Sequence, residues 1–140
     1  MWGADDPDNR KPLIWPGLEF QNESEHPLGL DRPSDEVVFD STLFNYYRDL
    51  ISLRRRHQAL QKGKLEFLRD FEKQGLLVYE RTWEDEQLLC IFNNTGQIKT
   101  WFSPSAQADY KVLMSSLAMP ERREDGGFDI APLSGLVLSY

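Results

Sequence analysis

The densest group of side chains able to do chemistry is Asp5-Asp6-Pro7-Asp8-Asn9-Arg10-Lys11-Pro12, flanked by Trp2 and Trp15. Prolines inside and at the end of the run restrict its backbone, while carboxylate, amide and guanidinium groups combine acceptors with directional donors. A sugar needs that mixture, because hydroxyls both donate and accept and the apolar C–H faces of the ring favour neighbouring aromatics. From the residues alone the run is either a loop that binds a sugar or similar polar ligand, or an acidic loop whose charges satisfy one another. A calcium loop is excluded: Arg10 takes the fifth position counted from Asp6 and no glycine follows. Asp6 and Asp8 also make a poor glycosidase pair. Retaining enzymes hold two carboxyls roughly 5–5.5 Å apart in different environments, whereas two Asp separated by one residue of extended loop point apart.

No other catalytic motif is present. The chain lacks a nucleophile elbow, a Walker loop, a zinc-protease helix and a dinucleotide fingerprint, so no catalytic residue, metal ligand or cofactor site is assigned. Gly126-Gly127-Phe128-Asp129 reads as a turn. The single cysteine, Cys90, lies in the apolar run Leu88 to Phe92 and reads as a small buried hydrophobe. Asn22-Glu23-Ser24 and Asn93-Asn94-Thr95 match the glycosylation sequon by a short pattern that carries little weight.

Three stretches of different texture must position these residues. Residues 1–41 hold ten acids against three bases and five of the eight prolines, and read as loop without regular periodicity. Residues 42–57 read as a helix: Asp40 or Ser41 can cap it, and Leu43, Tyr46, Tyr47, Leu50, Ile51 and Leu53 recur at three- and four-residue spacing. Phe44 widens its apolar face. Arg54, Arg55, Arg56 and His57 suit the negative end of the helix dipole. Beyond Lys62-Gly63 the chain breaks into short β-like runs near 65–68, 76–83, 87–92, 98–102, 110–114 and 136–140, with a further short one at 128–130. The turns between them include Lys73-Gln74-Gly75 and Glu84-Asp85-Glu86. That spacing predicts a small antiparallel β-sandwich, in which Trp83 and Trp101 are expected to pack in the sheets.

The 140 residues, 40% hydrophobic and 28% charged, fall in the globular range. A net charge of −7 speaks against electrostatic capture of nucleic acid or an anionic membrane. No run approaches the about 18 apolar residues of a membrane span. The N-terminus MWGADDPDNRKP carries no signal-peptide pattern, and the compartment is left open.

MWGADDPDNRKPLIW resembles the loop after the eighth barrel strand in the neopullulanase, cyclomaltodextrinase and maltogenic amylase group of glycoside hydrolase family 13, the α-amylase family. FNYYRDLISLRRRHQALQKGKLEFL is similar to that family's last barrel helix and its entry into the C-terminal sandwich. The resemblance implies a division into residues 1–61, a remnant of the last β/α unit of a (β/α)8 barrel, and residues 62–140, the C-terminal β-sandwich. It implies that Asp6 and Arg10 contact a glucose unit of an α-glucan or maltooligosaccharide, with Trp2 near the same cleft. It also implies that the three catalytic carboxylates belong to barrel strands four, five and seven, upstream of Met1. This chain alone is then expected to be inactive, its first 41 residues and one helix face resting on the missing barrel or on another chain. The alternative from another class is a stand-alone, non-catalytic sandwich that binds glycan or a partner protein, through Trp83 or Trp101 for example.

Overall fold

The computed structural model describes residues 13–26, 28–103, 109–117, 119–120 and 122–140. It divides into two compact units, Met1–Phe44 and Asn45–Tyr140, each described by itself.

In the first unit, Trp15-Pro16-Gly17-Leu18 forms a turn closed by the Leu18 amide on the Trp15 carbonyl at 3.3 Å. Pro16 sets the first central residue and Gly17, at φ +79°, takes the left-handed second position that type II turns require. Glu23 and Asp35 then exchange backbone hydrogen bonds of 2.9 and 2.8 Å as an isolated antiparallel bridge.

Helix α1 (Ser41–Arg56) contains the boundary between the units. Asp40 is its cap: its carboxylate accepts the Leu43 amide at 2.9 Å while its carbonyl accepts the Phe44 amide at 3.0 Å. The chain turns extended at His57 (φ −113°, ψ 109°) and resumes as α2 (Gln58–Lys62). Leu53 is the one buried residue of α1, whereas Leu43, Phe44, Tyr47 and Ile51 are 45–60% exposed.

The second unit is mainly antiparallel sheet, as the sequence predicts. Seven strands follow: β1 (Lys64–Phe67), β2 (Leu76–Trp83), β3 (Glu86–Asn93), β4 (Lys99–Trp101), β5 (Lys111–Ser115), β6 (Phe128–Ile130) and β7 (Ser134–Ser139). Five pair in the order β1-β2-β3-β7-β5, and β4 pairs with β6. The register sets Leu76 opposite Asn93 and Val78 opposite Ile91 across β2 and β3. It then sets Leu89 opposite Leu138 and Ile91 opposite Leu136 across β3 and β7. These side chains share one face, and with Trp101, Phe128 and Ile130 of the smaller sheet they form the core.

A one-turn connection is expected at Lys73-Gln74-Gly75, but a 3-10 helix occupies Arg69–Gln74 and Gly75 stops it. Its single apolar residue, Phe71, packs 6.2 Å from the Trp101 ring centre. One apolar residue in six gives no periodicity to read in the sequence.

Asn93 joins the two sheets. It is 1% exposed, and its Nδ2 donates to the carbonyls of Gln97 at 2.7 Å and of Ile130 and Ala131 at 3.0 Å. Its Oδ1 accepts the Thr95 amide at 3.0 Å and the Thr95 hydroxyl at 2.7 Å. The asparagine of this sequon is therefore a structural hub with its amide fully engaged. Asn93→Ala should destabilise the fold by about 1–3 kcal/mol, because buried carbonyls lose their donor. Asn93→Asp, which can only accept, should cost at least as much. A urea midpoint equal to that of the parent for either variant would contradict this assignment.

Candidate functional site

The predicted binding residues Asp6, Arg10 and Trp2 lie outside the described residues. Trp15, which flanks them in sequence, is 52% exposed at the start of its turn. Nearby in the first unit, the structure shows a cluster that composition alone did not single out. Arg32 is the only lysine or arginine between Pro12 and Ser41, and its side chain is 2% exposed. It donates to the Asp35 carboxylate, and to Glu23 Oε2 and the Glu25 carbonyl, each at 3.4 Å. The Glu23–Asp35 bridge and the Arg32 fork thus close one loop. Two of the ten acids that made this stretch look suited to hydroxyl-rich ligands are engaged by its own arginine.

In the second unit, the end of α1, α2 and the β2–β3 hairpin enclose a groove of about 500 Å³. Its floor is a clamp. Glu86 opens β3 and accepts His57 Nδ1 at 2.6 Å and the Ala59 amide at 2.7 Å. From the neighbouring strand, Arg81 Nε donates to the Ala59 carbonyl at 3.1 Å. Burial on its own raises the Glu86 pKa; the Ala59 amide, the His57 ring and the Gln58 amide outweigh it and hold the carboxyl below its ordinary value. His57, expected only to complement the helix dipole, instead ties the helical segment to the sheet.

Trp83, at the end of β2, is half-buried and lines this groove. Lys62 Nζ lies 5.8 Å from its ring centre. Trp101 is different: it is 0% exposed, with Tyr110 edge-on at 5.2 Å and Phe128 at 6.3 Å. The suggestion that Trp101 could hold a glycan is therefore corrected, because its ring is a centre of the core. Cys90 is 2% exposed and burial pushes its thiol pKa up, which makes it a poor nucleophile. Beside it, burial pushes the Tyr79 phenol up to about 12. Among the described residues no three His, Cys, Asp or Glu side chains gather to hold a metal ion, and no helix is long and apolar enough to cross a membrane.

The chain is similar to neopullulanase 2 of Thermoactinomyces vulgaris, 27% identical over 141 residues that take in 99% of this chain and 21% of that protein. It is also similar to a cyclomaltodextrinase of Geobacillus thermopakistaniensis, 28% identical over 97 residues, or 69% of this chain and 13% of that one. Among solved structures, a variant of the trehalulose synthase MutB superposes with a TM-score of 0.66 at 16% identity, over 95% of this chain and 26% of that one. The match falls on a C-terminal fragment, and the relatives carry the names of the group that the N-terminal loop resembles. No family model matches the chain.

The Glu86 clamp has a pH signature. A carboxyl whose folded pKa is depressed adds stability that is complete above its unfolded pKa and is lost as pH falls through the folded value. Glu86→Gln should thus cost about 1–2 kcal/mol at pH 7, and clearly less at a pH below the depressed folded value. Urea midpoints of parent and variant at neutral and strongly acidic pH measure the difference. An equal gap at both would mean that the charge of Glu86 contributes nothing.

Proposed function

We propose that this chain is the C-terminal portion of an α-glucan-acting glycoside hydrolase of the neopullulanase and cyclomaltodextrinase kind. In this reading residues 1–61 complete the last β/α unit of a (β/α)8 barrel and residues 62–140 are its C-terminal sandwich. Asp6 and Arg10, with Trp2 beside them, bind a glucose unit of the substrate. The observation that carries the reading is similarity along 99% of the chain to 21% of neopullulanase 2. That breadth joins loop, helix and sandwich in one alignment.

Helix α1 supports it. Tyr47 and Ile51 stand four residues apart and are 60% and 52% exposed, one turn of a single helix face. Covering a large apolar side chain contributes roughly 1.5–3 kcal/mol, and the outer helix of a barrel has such a partner in the strands beneath it.

The chemistry follows from the division. Retaining glycoside hydrolysis needs one carboxyl as acid and base and another as nucleophile, on opposite sides of the scissile bond. Asp6 and Asp8 do not supply that pair, and in the resembled family the catalytic acids stand on earlier barrel strands. Asp6 can accept from glucose hydroxyls and Arg10 can donate to them, which fixes the position of a sugar unit without breaking a bond.

Two outcomes are expected. The purified chain, incubated with cyclodextrin, pullulan or maltotriose, should release no glucose or maltose above blank; release would overturn its assignment as non-catalytic. When this chain replaces the matching C-terminal part of neopullulanase 2, Asp6→Ala and Arg10→Ala should each lower kcat/KM about tenfold or more, with KM raised. Unchanged steady-state constants in both variants would remove these residues from the binding site.

A further inference from the structure

The groove above the Glu86 clamp combines features that neither the clamp nor the sandwich core uses. It is a shallow, open groove of about 500 Å³. Trp83 contributes an aromatic side chain to its wall, whereas the Tyr140 ring is taken up by Tyr110, 4.8 Å away. Around them stand Arg56, Gln58, Asp85 and Gln87, all exposed. None of these four side chains makes an intramolecular hydrogen bond or ion pair among the described residues. By contrast, Glu86 and His57 beneath them are committed to each other.

The combination selects for a neutral, hydroxyl-rich ligand. An anion would meet the carboxylates of Asp85, Glu84 and Glu86, with Arg56 as the one cation among the groove's lining residues apart from His57. A simple cation would leave the amides unused, and the Trp83 ring already has the Lys62 ammonium beside it. A pyranose ring stacks its C–H face on an indole while its hydroxyls bond to amide, guanidinium and carboxylate groups, which both donate and accept. Trp83 is also held in place for that role. The pairing of Trp83 with Glu86 fixes its backbone in the ladder, and the Lys62 ammonium attends its ring.

We propose that this groove is a second, non-catalytic glycan site, in which Trp83 is the stacking platform for an α-linked glucan chain and Gln58 and Arg56 are the polar contacts. The α-linkage rests on the functional reading above; the groove and its platform do not. The site is separate from Asp6 and Arg10 in sequence and needs neither of them.

The test is binding of maltoheptaose to the purified chain, followed by tryptophan fluorescence and by isothermal titration, with cellohexaose as the comparison sugar. Saturable binding of maltoheptaose is expected, weakened at least tenfold in Trp83→Ala and several-fold in Gln58→Ala. Trp83→Phe should keep most of it, since a smaller aromatic platform remains. Circular dichroism and the urea midpoint check that each variant is folded, and exposed Gln58 tests the site should the Trp83→Ala chain fail to fold. Maltoheptaose binding that is absent, or indifferent to Trp83 and Gln58 variants, overturns the site and leaves the enzymatic reading standing. Trp83-dependent binding of cellohexaose without maltoheptaose overturns the α-glucan assignment and counts against the enzymatic reading as well.

Discussion

The five-stranded sheet is apolar on both faces, and most of the second unit follows from that constraint. Side chains alternate along a strand, so β2 sends Leu76 and Val78 to one side and Leu77 and Tyr79 to the other, while β3 sends Leu89 and Ile91 one way and Leu88 and Cys90 the other. The inner side is closed by β4, β6 and the Phe71 turn. The outer side is only partly covered. Leu88 and Cys90 are buried there, and Ala59 of α2 is fully buried. Phe67, Leu77 and Phe92 stay 37–47% exposed, with Tyr79 stacked against Phe92 at 5.9 Å and Phe67 edge-on to Tyr79 at 5.8 Å. Phe92 also leans over Gly135, where a Cβ would come within 2.7 Å of its ring. The aromatic row is packed within itself.

Two polar devices keep this two-faced sheet in place. Asn93 gathers three carbonyls from the loop after β3 and the end of β6, which fixes the small sheet against the large one. Glu86 and Arg81 fasten Ala59 from adjacent strands, which fixes the short helix against the outer face. Each uses directional bonds at the margin of an apolar layer. Apolar contact favours burial but leaves the register of layers open, whereas a buried amide or carboxylate is satisfied in one arrangement only.

Much of the fold was legible in the sequence because strands in a two-layered sheet alternate and are punctuated by turn residues. The runs at 76–83 and 128–130 coincide with β2 and β6, and the others agree to within two residues at either end. What was not legible shares a physical cause. The Arg69–Gln74 turn carries one apolar side chain, the His57–Glu86 pair spans 29 positions, and the Asn93 hub reaches 38 positions ahead. Such contacts exist only once the strands are assembled, and a polar residue in sequence does not disclose its partner. Arg32 teaches the same point from the other side. Residues 1–41 hold ten acids, and the lone arginine between Pro12 and Ser41 engages two of them, Glu23 and Asp35, a choice that the count does not disclose. Of the candidate site, Asp6, Arg10 and Trp2 were legible through a resemblance of motif, and they stand outside the described residues.

Register also separates two tryptophans that composition treats alike. Trp101 sits opposite Phe128 in the β4–β6 pair, on the face that closes the core, and is therefore surrounded by rings. Trp83 sits opposite Glu86 at the last position of β2, on the other face, where the sheet runs out into a two-residue turn and the cover provided by α2 ends at Lys62. Both tryptophans end their strands, and the one on the inner face, Trp101, completes a hydrophobic layer. The one on the outer face keeps part of its ring accessible while the ladder and a neighbouring ammonium restrain it. Of the two tryptophans, the pleat thus leaves only Trp83 with part of its ring open to solvent.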